Sequence, residues 1–109
     1  MKTDREVVLE AAQIIRDNGF GKREYYNEDA NCYCVVGAIR QAVFGFVNRP
    51  RRIPGLESDE ERQMNRIEKC INRLLIAQGK YPNLISWNDE AETTREDVLA
   101  LLEQAAEAS

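Results

Sequence analysis

Cys32-Tyr33-Cys34-Val35-Val36-Gly37-Ala38-Ile39-Arg40-Gln41-Ala42-Val43-Phe44-Gly45-Phe46 is the stretch that decides the fold. Cys34, Val35, Ala38, Ile39, Ala42, Val43 and Phe46 recur at helical spacing and form an apolar stripe too broad for a helix with one wet side. Such a helix belongs at the centre of a bundle, so its neighbours must be amphipathic helices that cover it. They lie on both sides in sequence. Thr3 with Glu6 reads as a capping box, after which Val7, Val8, Ala11, Ile14 and Ile15 follow at helical spacing until Asn18-Gly19 supplies a stop. Ser58 with Glu61 opens a third helix in the same way, with Met64, Ile67, Ile71, Leu74 and Leu75 on one face and an end at Gly79. Thr94 with Asp97, or Thr93 with Glu96, opens a fourth, whose Val98, Leu99, Leu101, Leu102 and Ala105 face inwards. The fold class is therefore all-α: a compact bundle of about four helices with ordered loops, one domain over residues 1–109.

The connecting segments carry turn chemistry. Phe20 to Asn31 is polar, with Asn27, Asp29 and Asn31 as turn formers and Asn31 read as the N-cap of the second helix. Asn48 to Leu56 holds Pro50, Pro54 and Gly55, which forbid helix continuation. Tyr81 to Asp89 is short enough for a single helical turn, with Leu84, Ile85 and Trp87 expected to plug the end of the bundle. No segment reads as a strand.

Fifteen basic against nineteen acidic residues give a net charge of −4, and the charge is uneven. Asn88 to Ser109 carries −6, which leaves +2 for the rest. A duplex-binding domain shows a broad basic face, because phosphate neutralisation supplies most of its affinity, and that pattern is missing. Arg49, Arg51 and Arg52 are the one dense basic cluster. No apolar run approaches the roughly 18 residues of a membrane span, and Lys2 to Glu10 carries no signal-peptide core. Three cysteines without a framework point to reduced thiols and a cytoplasmic setting, with Cys70 read as a core residue.

Cys34-Val35-Val36-Gly37-Ala38-Ile39 resembles the W-C-x-x-G-A-L helix start of a small uncharacterised family from actinobacteria and their phages. Ile85 and Trp87-Asn88-Asp89, followed by Thr94, Asp97-Val98 and Leu102, resemble that family's later I-x-x-W-N-D segment, and Gly19-Phe20 resembles its G-W. The resemblance implies that Cys34, Gly37, Ala38, Trp87, Asn88 and Asp89 are the family positions. Two residues depart from it: Tyr33 stands where the family has Trp, and Thr93 where it has Arg. The resemblance implies a fold and a phage or bacterial source, with no mechanism attached.

Cys34 is the sharpest chemical candidate, since a thiol at a helix start is exposed to open amides and the helix dipole. A cysteine nucleophile also needs a base, normally histidine, and the chain has none, so Cys34 reads first as a packed residue at the helix start. Cys32-x-Cys34 with Cys70 falls short of four zinc ligands, so neither a metal nor a cofactor is expected. Trp87-Asn88-Asp89 reads as a structural latch in which Asn88 or Asp89 accepts from open amides around Asn31 to Val35. The functional expectation is a protein-binding module, phage-encoded and host-modulating, working in the cytoplasm. Its contact residues would be Tyr25, Tyr26, Arg49, Arg51 and Arg52, residue types enriched at interface anchors. The alternative is a thiol-dependent enzyme or redox sensor centred on Cys34, with Asn88 or Asp89 as orienting groups.

Overall fold

Residues 2–45, 58–80 and 84–109 are described by a computed structural model. Phe46, the loop from Asn48 to Leu56 with Arg49, Arg51 and Arg52, and Tyr81 to Asn83 lie outside the described residues.

Helix α1 (Asp4–Asn18) starts where the capping box is written. The Glu6 N–H donates to Thr3 Oγ1 at 3.1 Å, and the Thr3 N–H donates to Glu6 Oε1 at 3.1 Å, so two otherwise open donors are satisfied together. Val7, Val8, Ala11, Ala12 and Ile15 are buried, and the two alanines let α1 lie close to its neighbours. Helix α2 (Val35–Phe44) buries every residue from Val35 to Ile39, and Ala42 as well. Unbroken burial over these five residues means that the first half of α2 is covered on all sides, the place its broad apolar stripe demands, while Arg40, Gln41, Val43 and Phe44 are half-buried. It ends at Gly45, whose φ of 81° is a left-handed conformation that suits glycine.

Helix α3 (Asp59–Ala77) is capped by Ser58 and presents Met64, Ile67, Ile71 and Leu75 inwards at three- and four-residue intervals. The buried Gln63 fastens the N-terminus to it, its Nε2 donating to the Lys2 carbonyl at 2.6 Å and to Asp4 Oδ1 at 3.1 Å. Helix α5 (Arg95–Glu107) opens with Thr94 and Asp97, a complete capping box, and buries Val98, Leu101, Leu102, Ala105 and Ala106. α1 packs on both α2 and α5, while α3 closes against α2 and α5, giving one apolar core.

The structure defines one short element further and adds a second. Leu84–Asp89 forms a six-residue helix, α4, whose Leu84 amide donates to Asn72 Oδ1 of α3 at 2.8 Å. Among the described residues there are thus four long helices and this short one, which lies where a single helical turn was expected. Within α4, Leu84 and Trp87 plug the core as anticipated, but Ile85 is 52% exposed and does not.

The added element is a hairpin inside the expected loop. Strands β1 (Tyr26–Asn27) and β2 (Cys32–Tyr33) pair antiparallel with Tyr26 opposite Tyr33. Two-residue strands carry no alternation for a sequence to reveal; side chains hold them instead, with the Tyr26 and Tyr33 rings 4.6 Å apart and the Ala30 N–H on Asn27 Oδ1 at 3.1 Å. Asn31, expected to cap α2, turns the hairpin at φ 50°, and Cys34 takes the cap. Cys70, read as a core residue, is half-buried.

Candidate functional site

The residues that the resemblance singled out meet where the hairpin, the start of α2 and the end of α4 converge. The first link is a close approach of backbones. The Cys34 N–H donates to the Tyr25 carbonyl at 3.2 Å, and a Cβ on Gly37 would fall 1.8 Å from that same oxygen. Gly37 is therefore required by space, since only a residue without a side chain lets the hairpin rest on the first turn of α2.

The second link is Asn88, which is 1% exposed. Its Oδ1 accepts the Val35 N–H at 2.9 Å, while its Nδ2 donates to the Gly21 carbonyl at 3.2 Å and to Asp89 Oδ1 at 3.2 Å. Asp89 Oδ1 also accepts the Arg23 N–H at 2.8 Å, and Lys22 Nζ donates to the Glu90 carbonyl. One carboxamide thus joins α4, α2 and the limb leading into the hairpin, and satisfies a buried amide at the start of α2. Of the two expected acceptors, Asn88 takes the α2 amide and Asp89 takes the limb.

Trp87 is buried on the core side of this joint, with Lys80 Nζ 5.6 Å from its ring centroid. Thr93, 6% exposed, donates through Oγ1 to the Trp87 carbonyl at 2.6 Å. An open groove of about 580 Å³ lies beside it, lined by Lys80, Trp87, Glu90, Glu92 and Asp97.

Cys34 is the N-cap of α2, and its Sγ accepts the Gly37 N–H at 3.3 Å. It is buried at 6% exposure. Burial pushes the thiol above its ordinary value; the amides of Gly37 and Val36 act in the opposite direction without cancelling it, and Asp89 adds to the upward push. This burial agrees with the packed reading of Cys34 and opposes the activated thiol: desolvation outweighs the helix-start amides. Cys32 and Cys70 are free and half-buried. Among the described residues, no three Cys, Asp or Glu side chains are placed to hold a metal ion.

Above the latch is a small recess of about 40 Å³, near the room of one water molecule, with the buried Cys34 and Asn88 at its base. Its rim carries Tyr25, 38% exposed, and Ile85, 52% exposed, together with the polar Arg23 and Glu24. The Tyr25 ring lies 4.5 Å from the Arg40 guanidinium. Tyr26, grouped with Tyr25 on sequence, takes a different place: its ring packs at a 41° tilt against Tyr33 and its hydroxyl donates to Asn31 Oδ1 at 3.0 Å. Sequence reasoning missed Ile85 as a surface residue, because an apolar residue beside Leu84 and Trp87 reads as core; the 100° step between neighbours on a helix is the signal that separates it from both.

A model of a family of unknown function, DUF6197, matches residues 1–108. The chain belongs to that family. No curated protein and no solved structure matches it. The matched residues include every described helix and the hairpin, so the latch is part of the family's own region of the chain.

Proposed function

We propose that this member of DUF6197 is a protein-binding module that engages its partner through the rim formed by Tyr25 and Ile85. The observation that carries the reading is the exposure of these two side chains on a fixed support. Tyr25 is held through its backbone by Cys34 and Gly37 and through its ring by Arg40, and Ile85 projects from the helix that Asn88 anchors. An aromatic anchor already fixed before binding loses little conformational entropy on contact, which is what an interface hot spot requires. Three free thiols support a reducing, cytoplasmic setting, and no described helix is long and apolar enough to cross a membrane. A phage-encoded, host-modulating role fits a small module of this kind.

Thiol chemistry at Cys34 is the second reading, favoured by the recess that reaches it and opposed by its burial and raised pKa. Crosslinking tests the first reading. A photo-crosslinking residue placed at Tyr25 or Ile85 should give one discrete adduct in bacterial cytoplasmic extract, competed by unlabelled protein, whereas the same residue at Glu107 gives none. Equal adducts at all three positions, or none at any, would overturn the proposal.

A further inference from the structure

Helix α3 carries a second, unrelated surface. Arg62, Arg66, Lys69 and Arg73 occupy i, i+4, i+7 and i+11, and all four are exposed. At about 100° and 1.5 Å per residue they share an arc of about 60° and run for about 17 Å along the helix. Ile76, 58% exposed, continues the row at its C-terminal end. On a chain of net charge −4 this is a local reversal of sign.

An ordinary solvated helix face mixes charges so that neighbours three and four apart attract. Here every neighbouring member of the row repels the next, a small but consistent cost that carboxylates of this chain offset only at its N-terminal half. The N-terminal half of the row already binds carboxylates. Arg66 forks onto Asp4, with Nε to Oδ2 at 3.2 Å and Nη2 to Oδ1 at 3.0 Å, and Arg62 Nη1 meets Asp59 Oδ1 at 2.7 Å. Lys69 and Arg73 have no ion-pair partner among the described residues.

We propose that this face of α3 docks an acidic amphipathic helix of a partner protein, whose carboxylates meet Lys69 and Arg73 and whose apolar residue, one turn further on, seats on Ile76. Charge complementarity selects an acidic partner, and the bidentate Arg66–Asp4 contact shows the recognition geometry on the same row. Nucleic acid is the poorer fit. A phosphate backbone makes no use of Ile76, and a single basic row on an acidic chain is far from the broad face that phosphate binding needs. This surface shares no residue with the Tyr25–Ile85 rim, so the failure of either proposal leaves the other standing.

The test is fluorescence anisotropy with a labelled helical peptide carrying glutamates at i, i+4, i+7 and i+11 and a leucine one turn beyond. Binding should weaken as salt rises, and Lys69→Glu or Arg73→Glu should each reduce affinity about tenfold. Ile76→Ser should weaken it several-fold, and a peptide with glutamine for each glutamate should not bind, a control that does not depend on any variant folding. Three results would overturn the proposal: no binding at low salt; a single-stranded oligonucleotide of equal charge binding as tightly with Ile76→Ser without effect; or sedimentation showing that the row instead joins two copies of this chain.

Discussion

The Val35 N–H donates to Asn88 Oδ1 at 2.9 Å across 53 positions of sequence, with both groups buried. This contact ties the first amide of the central helix to the short helix that carries Ile85, so the stability of α2 and the presentation of the rim depend on one side chain.

Replacing Asn88 with Ala leaves the Val35 amide without an acceptor and the Gly21 carbonyl without that donor, at a cost of about 1–3 kcal/mol. Urea denaturation should show a lower midpoint. Asn88→Asp keeps an acceptor but sets a second carboxylate beside Asp89 Oδ1, 3.2 Å from the present amide nitrogen. It should therefore be more harmful at neutral pH than below the carboxylate range. A wild-type midpoint for both variants would refute the latch.

Gly37→Ala sets two effects against each other. Alanine improves helix propensity by about 1 kcal/mol, but its Cβ would meet the Tyr25 carbonyl at 1.8 Å. Backbone has to move, and overpacking of this kind costs about 1–3 kcal/mol. The variant should be less stable than wild type, with the loss reported by a changed near-ultraviolet signal from the Tyr26–Tyr33 pair. A stabilised variant with an unchanged signal would contradict the close approach.

For Cys34, the folded thiol is pushed above its unfolded value by burial. The stability this contributes is complete below the unfolded pKa, about 8.5 for a free thiol, and is lost as pH rises through the folded value. Stability should thus decline above about pH 8.5, and Cys34→Ser, which keeps a cap acceptor for Gly37, should remove that decline. Cys34→Val removes the acceptor and should cost about 1 kcal/mol. Rapid alkylation of Cys34 in the folded protein near neutral pH would show the opposite sign and return attention to thiol chemistry.

The acidic limb rests on different groups. The Arg66 guanidinium, with help from the Gln63 amide, holds the Asp4 carboxyl below its usual range, and the Thr3 and Thr94 backbone amides do the same for Glu6 and Asp97. A depressed carboxylate stabilises the fold above its unfolded pKa and ceases to do so as pH falls through the folded value. Stability should drop below about pH 4, the unperturbed carboxylate range. In Arg66→Leu, the Asp4 titration followed by NMR should move up towards that range. An Asp4 titration unmoved by the variant would rule out the ion pair in solution.

The long helices were legible because their information is local. Thr3–Glu6 and Thr94–Asp97 announce their own starts, and the three- and four-residue spacing of Met64, Ile67, Ile71 and Leu75 needs no partner to be recognised. The latch was legible for the same kind of reason, as a polar side chain in an apolar segment needs somewhere to bond. The hairpin was not, because its strands are two residues long and its stability comes from Tyr33, Gly37 and Asn88, all distant from Tyr25 or Gly21 in the chain. The cap of α2 was misplaced onto Asn31 because asparagine is a strong N-cap residue by propensity, whereas the sulfur that does accept from Gly37 is a weak acceptor. Cys34 reads as packed because no base accompanies it, and its burial agrees; how far desolvation outweighs the helix-start amides shows only in the structure.

The most direct test of the latch is native-state hydrogen exchange at the Val35 amide in wild type and Asn88→Ala. Protection in wild type close to that of the α2 interior, falling by an order of magnitude or more in the variant while α1 amides keep pace only with global stability, is the predicted result. A Val35 amide that exchanges freely in wild type, or that is equally protected without the Asn88 side chain, would show that the start of α2 is held by something else.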